Sequence, residues 1–245
     1  MSGNNNKVAI VTGGSRGIGA AVVERLASDG FAIVINYAQT AKPAEDLVKK
    51  IKAAGGRALA VGGDISDPKV AKDLFDQGER AFGGIDVLVN SAGAMVVAPL
   101  AAIDDASIDK LLNVNIKGSL YCMREASKRI REGGSIINFS SSVTKLLQPA
   151  MTVYGGTKAA IEAITSILSK ELGDKKIRVN AVAPGPVATD LLKNAPKESL
   201  DHLTSMTPFK RLGQPTDISS VISFLAGPDS SWVTGQTIFV NGGIV

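Results

Sequence analysis

The chain has 245 residues, 44% of them hydrophobic and 20% charged, an ordinary globular composition that excludes intrinsic disorder and collagen-like repeats. Its 27 basic and 23 acidic residues leave a formal charge of +4, spread along the chain without a Lys/Arg block, so nucleic-acid binding is not indicated. Cys122 is the one cysteine and His202 the one histidine, which excludes an intramolecular disulfide and a Cys-rich or multi-histidine metal site.

The polar start Met1–Asn6 lacks the apolar run of a signal peptide, and no apolar stretch reaches the roughly 18–20 residues of a membrane span. A soluble, reducing, cytoplasmic setting is the expectation. Strands are predicted at Lys7–Thr12, Phe31–Asn36, Arg57–Val61, Ile85–Asn90, Ser135–Phe139, Ile177–Val182 and Thr237–Val240. Helices are predicted near Ile18–Ser28, Pro43–Ala54, Pro68–Phe82, Asp104–Arg131, Thr152–Leu172 and Pro215–Leu225. Several of the strands are apolar on both faces, as parallel strands covered by helices on both sides must be. The alternation predicts one α/β domain over residues 1–245: a Rossmann-type doubly wound parallel sheet of about seven strands flanked by helices. The one long irregular stretch, Pro184–Pro215, reads either as a substrate lid at about 186–214 with a short helix around Leu200–Met206, or as a surface excursion.

The first strand runs directly into Thr12-Gly13-Gly14-Ser15-Arg16-Gly17-Ile18-Gly19. Glycines permit a tight turn and close backbone approach, while the helix that follows offers unpaired N–H groups and its positive dipole end to a pyrophosphate. The spacing G-x-x-x-G-x-G differs from the commoner dinucleotide pattern and lacks the Lys-Ser/Thr end of a triphosphate loop, so ATP or GTP hydrolysis is not expected. The second strand ends Ile35-Asn36-Tyr37, with no acid to accept from a ribose 2′-hydroxyl, and Arg16 in the cradle can face a 2′-phosphate. NADP(H) is therefore favoured, with Gly13, Ser15, Arg16, Gly17, Ile18, Gly19, Asn36 and Tyr37 as contacts; the alternative for Arg16 is a solvated loop charge.

Tyr154 and Lys158 stand four apart at the start of a predicted helix and share one face. A neighbouring ammonium favours the phenolate and lowers the phenol's ordinary pKa near 10, which makes an acid able to protonate a carbonyl oxygen. Ser141 follows the fifth strand, at the carboxyl edge where ligands of open α/β sheets bind, and its hydroxyl can hold the substrate oxygen while Tyr154 donates. Met95-Val96-Val97 and Leu191-Leu192 read as an apolar pocket wall or as ordinary core, and Cys122 as packing.

Together these motifs resemble those of the short-chain dehydrogenase/reductase family over essentially the whole chain. The matching segments are TGGSRGIG at 12–19, Asp64-Ile65 and Asn90-Ser91-Ala92-Gly93. Asn113-Val114-Asn115-Ile116-Lys117-Gly118, Ser141, Tyr154-Gly155-Gly156-Thr157-Lys158 and Pro184-Gly185 complete them. Ser91 departs from the second Asn more usual there. The resemblance implies that Tyr154 is the proton donor and that Lys158 binds the nicotinamide ribose and depresses the pKa of Tyr154. It implies that Ser141 orients the carbonyl, and that Asn115, in a locally disrupted helix, holds a water linking Lys158 to solvent. Asp64, with Ile65 beside it, would contact the adenine; Asn90, Ala92 and Gly93 would line the adenosine side; and Pro184, Gly185, Val187 and Thr189 would hold the nicotinamide amide. Asp64 also reads as belonging to a helix N-cap region, and Asn115 as a backbone bridge.

No metal is called for. The function expected is NADPH-dependent reduction of a small ketone to a secondary alcohol. A 3-oxoacyl-[acyl carrier protein] reductase, argued from Arg131, Lys175 and Lys176 against Glu132, and a non-catalytic NADP-binding regulator stand as alternatives. By the same resemblance, the long helices pair subunits into a homotetramer, to which the apolar end Val240–Val245 adds.

Overall fold

The computed structural model describes residues 7–190, 192 and 196–245; the polar start Met1–Asn6 and Leu191 of the expected pocket wall lie outside the described residues. Among the described residues seven strands form a single sheet: β1 (Val8–Thr12), β2 (Ala32–Tyr37), β3 (Ala58–Gly62), β4 (Ile85–Asn90), β5 (Ile130–Phe139), β6 (Arg178–Pro184) and β7 (Thr237–Val240). All pairings are parallel in the order β3-β2-β1-β4-β5-β6-β7. The strand order reverses beside β1, which pairs with β2 on one side and β4 on the other, so a crevice opens at the carboxyl ends of β1 and β4.

The strands are apolar throughout because alternate residues feed two separate cores. Ala9, Val11, Ile33 and Ile35 pack under α1 (Gly17–Ser28), α2 (Ala41–Ala53) and α9 (Pro215–Ala226). Val8, Ile10, Ala32 and Val34 pack under α3 (Pro68–Phe82), α5 (Ser119–Arg129) and α7 (Thr152–Glu171) on the other face. The remaining α-helices among the described residues are α4 (Asp105–Leu111), α6 (Val143–Leu146) and α8 (Lys197–Met206).

Three expectations need correction. The helix predicted over 104–131 is not continuous: α4 gives way to a π-helical turn, Leu112–Gly118, the disruption the resemblance implied at Asn115, before α5 resumes and stops at Arg129. Asn115 anchors that wide turn, accepting from the Ala94 N–H at 2.8 Å and donating to the Ala94 carbonyl at 2.9 Å. Secondly, β5 begins at Ile130 rather than Ser135. Ile130 pairs with Ile85 while Ser135 pairs with Val87, so the strand enters through an irregularity carrying Gly133 at φ 77°. Thirdly, α2 begins two residues before Pro43, which the first helical turn tolerates because its N–H groups have no intrahelical acceptor. In the stretch predicted as a lid, α8 starts three residues before Leu200, and Val187 pairs with Gly213 at its base.

Candidate active site

The glycine-rich turn joins β1 to α1 at the crevice. Gly13 has φ 61°, and a Cβ there would lie 2.8 Å from the Ala92 Cα. A Cβ on Gly19 would fall 2.3 Å from the Gly13 carbonyl oxygen, so only glycine lets the first turn of α1 close onto the turn. Thr12 Oγ1 accepts from the Ala92 N–H at 3.1 Å and draws the Asn90–Gly93 segment alongside. The result is a shallow cradle lined by backbone, with the N–H groups of Gly17, Ile18 and Gly19 unclaimed by the helix. Space that a Cβ would fill, and amides at a helix N-terminus, suit a pyrophosphate. Arg16, the N-cap of α1, is exposed, and among the described residues its side chain has no partner. Ser15 is half-buried in the turn, the half-buried Ile18 packs on the core, and Gly17 faces Thr189, whose Cγ2 would stand 3.5 Å from a Cβ on it.

Not every expected contact faces this cradle. Asn36 is buried and its amide is committed to backbone: Oδ1 accepts from the Gly13 N–H at 3.3 Å, while Nδ2 donates to the carbonyls of Val61 and Gly63 at 3.3 and 3.0 Å. It ties the turn to β3 and has no free polar atom for a 2′-phosphate, which corrects the expectation for that side chain. Tyr37 lays its ring over Gly62, where a Cβ would meet the Tyr37 hydroxyl at 2.9 Å. Asp64 is exposed and accepts from the Ser66 N–H at 2.9 Å, whereas the N-cap of α3 is Asp67. The Ile65 side chain is buried against Gly118 of the π turn. Asn90 turns inward, donating to Asn138 Oδ1 at 2.8 Å, and Asn138 donates onward to Thr165 at 2.9 Å. Pro184 and Val187 are buried, and the Pro184 carbonyl accepts from the Ser142 N–H at 2.9 Å. Gly185 donates to the Val240 carbonyl at 3.1 Å.

Beside the cradle, Ser141, Tyr154, Lys158 and Asn115 come together. The triple serine after β5 divides its work by burial. Ser140 and Ser142 are buried and bonded, to Glu162 at 2.5 Å and to Asn241 at 3.1 Å respectively. Ser141 is half-buried; its Oγ accepts from the Val143 N–H at 3.3 Å, leaving its own proton for other partners, and it lies beside the Tyr154 phenol. Burial raises the Tyr154 phenol above its ordinary value, and the neighbouring Ser141 hydroxyl opposes that shift.

Lys158 is only 6% exposed, and burial brings its ammonium down to about 8. Its Nζ donates to the Phe139 carbonyl at 2.8 Å and stands 5.8 Å from the centroid of the Tyr154 ring. The expected depression of Tyr154 by Lys158 is therefore not what this arrangement gives: desolvation governs both groups, and the phenol is held protonated at neutral pH. Asn115 is buried, and its Nδ2 also donates to Thr157 Oγ1 at 3.1 Å; Thr157 in turn donates to the Tyr154 carbonyl at 2.7 Å. Gly93 lies between them, where a Cβ would stand 3.5 Å from Asn115 Oδ1 and 3.7 Å from Lys158 Nζ.

Sequence reasoning missed Thr157, the Phe139 carbonyl and Glu162. Only Glu162 carried a signal, four residues beyond Lys158 on the same helix face. The basic residues considered for carrier docking lie elsewhere. Arg131, Glu132, Lys175 and Lys176 sit where chain enters β5 and β6, at the amino-terminal edge opposite the site. Lys176 pairs with Glu132 at 2.7 Å and Arg131 with Asp86 at 3.2 Å.

Residues 13–245 match the family model described as Enoyl-(Acyl carrier protein) reductase. An uncharacterized oxidoreductase of Methylorubrum extorquens is 44% identical over 247 residues, covering 100% of both chains. Among solved structures, a short chain dehydrogenase from Burkholderia cenocepacia in complex with NADP superposes with a TM-score of 0.93 at 34% identity, covering 98% of each chain. An angucycline C-6 ketoreductase with bound NADP also gives a TM-score of 0.93 at 34% identity, covering 99% of this chain and 97% of that one.

Proposed function

The chain belongs to the short-chain dehydrogenase/reductase family of oxidoreductases, and from that premise we propose that it reduces a ketone to a secondary alcohol with NADPH, Tyr154 donating the proton. The observation that carries this reading is the placing of Ser141 and Tyr154 side by side with the buried Lys158 ammonium, next to a backbone cradle of pyrophosphate shape. The bound cofactor supplies the hydride and takes up the redox change.

The protein's own part is position and polarity. The Ser141 hydroxyl accepts from the Val143 N–H with one lone pair and keeps its own proton for the carbonyl oxygen. Tyr154, protonated at neutral pH because burial raises it, gives its proton to that oxygen as the alcohol forms. Lys158 lies close enough to neutrality to reprotonate the phenol, and Asn115 and Thr157 fix the helix end on which both stand. NADP(H) rather than NAD(H) is supported by the free guanidinium of Arg16, by the absence of an acid at the end of β2, and by the NADP bound in two similar structures. The segment 186–214, with Thr189 against Gly17, is read as the substrate lid. A cytoplasmic setting fits Cys122, whose thiol is buried and pushed up to about 12.

A homotetramer is part of the proposal. A groove of about 390 Å3 runs between α5 and α7, and exposed Leu120 and Ile167 border it, an apolar face suited to the same face of another subunit. The site does not favour the carrier-protein reading, since Arg131 and Lys176 are ion-paired and Lys175 donates to the Ser127 carbonyl, all at the far edge of the sheet.

The test follows NADPH absorbance against a panel of ketones, β-keto esters included, for wild type and Tyr154→Phe. Turnover should fall by ~10²–10⁴ in the variant while NADPH binding persists. A variant keeping a third of wild-type turnover would overturn the assignment of Tyr154.

A further inference from the structure

We infer that Glu162 is a positioning residue, a clamp that holds the serine turn in register with the helix bearing Tyr154 and Lys158. Glu162 is the third residue of one helix face, at i+8 from Tyr154 and i+4 from Lys158. A single carboxylate oxygen, Oε1, accepts two hydroxyl protons, from Ser140 at 2.5 Å and from Thr144 at 2.8 Å. Those two donors bracket Ser141. The backbone between them is drawn to α7 at both ends, and Ser141 is presented to Tyr154 from a turn pinned on either side.

A tie of the fold alone would look different. Both donors have a second acceptor within reach: the Lys158 carbonyl for Ser140 at 3.5 Å, and the Ser141 carbonyl for Thr144 at 3.0 Å. Loss of the carboxylate therefore leaves few polar groups stranded, and its cost to stability is small. What it removes is the fixed offset between the turn and the helix. Productive geometry in such pairs tolerates little displacement, about 1 Å costing on the order of 10²-fold. The inference rests on reading Ser141 and Tyr154 as the reacting pair. Glu162 acts through Ser141 and touches neither carbonyl nor cofactor.

The experiment compares Glu162→Ala, Glu162→Gln and the pair Ser140→Ala/Thr144→Val, each in the wild-type and Ser141→Ala backgrounds. In the wild-type background Glu162→Ala should lower kcat about 10- to 100-fold and leave the Kd for NADPH within about twofold. Glu162→Gln, whose amide oxygen still accepts both protons, should recover most of that loss. The Ser140/Thr144 pair, which removes the donors and spares the carboxylate, should reproduce it and stands in should Glu162→Ala fail to fold.

In the Ser141→Ala background Glu162→Ala should cost less than about twofold, because its route to the chemistry is already gone. An equal loss in both backgrounds, or a parallel loss of NADPH binding, overturns the proposal and leaves the assignment of Tyr154 standing. Should wild type turn over no ketone, that assignment fails separately, and amide hydrogen exchange judges the clamp. Faster exchange over 141–146 in Glu162→Ala, restored in Glu162→Gln, supports it, and unchanged exchange refutes it.

Discussion

Replacing Lys158 by Met should stabilise the protein at neutral pH while abolishing its activity. The buried ammonium is depressed from 10.5 to about 8, so the folded state disfavours the charge that the unfolded chain carries freely. Between those two values the unfolded chain binds more protons than the folded one, and stability therefore rises with pH across the window from about 8 to 10.5. Below it the full penalty applies. At about 1.4 kcal/mol per pKa unit, the depression amounts to roughly 3 kcal/mol at pH 7, almost all of it relieved by pH 10.5. Met removes that penalty at every pH but strands the Phe139 carbonyl, which accepts from Nζ at 2.8 Å, at a cost of about 1–2 kcal/mol. Lys158→Met should thus be the more stable protein by about 1–2 kcal/mol at pH 7 and the less stable by a similar amount at pH 10.5. Urea unfolding of both proteins across that range isolates Lys158, because every other titrating group is common to the two. A difference in stability that stays flat from pH 7 to 10.5 would refute the desolvation argument.

Arg16→Ala should weaken NADPH about 10- to 150-fold and leave NADH nearly unchanged, read from the two Kd values; equal losses for both would remove the guanidinium from 2′-phosphate recognition. Asn36→Asp should lower stability by roughly 2–4 kcal/mol in denaturant melts, because it trades two buried donations to Val61 and Gly63 for a carboxylate facing two carbonyl oxygens. An unshifted midpoint would refute that. Ile167→Glu, on the groove between α5 and α7, should reduce the solution mass measured by light scattering at micromolar protein, where wild type is expected as a tetramer. A monomeric wild type would end the assembly proposal.

The sheet was legible in the sequence because its strands are short, apolar on both faces and separated by amphipathic helices. Residues 8–12 and 32–37 read as parallel strands before any pairing is known. The cradle was legible for a similar reason, since only glycine fits at Gly13 and Gly19. What the sequence did not disclose is where side chains turn. Asn36 stands at the end of β2, where a ribose contact belongs, yet its amide is spent on the backbone of the neighbouring loops. The electrostatics of Tyr154 and Lys158 were misjudged because spacing along a helix reports proximity and not solvation. Burial, set by β5 and the turn beyond it, outweighs their mutual influence. The break at 112–118 is invisible to helix propensity, as Leu-Asn-Val-Asn-Ile-Lys-Gly is compatible with continuous helix, and only the resemblance implied a disruption at Asn115.

That break amounts to a difference of one residue in the bookkeeping of a helix. A π turn carries the chain as an α-helix with one residue added, so the two flanking segments, α4 and α5, keep their own faces while the residues between are displaced around the axis. Deleting a single residue there would restore an unbroken α-helix with α4 and α5 still in register, and the wide turn itself would be lost. Asn115 would then leave Ala94 and Thr157, while α5 kept Cys122 and Met123 in the core. The one residue added within 112–118 thus serves placement and not packing: the buried faces of α4 and α5 would survive its loss, and the wide turn that holds Asn115 would not.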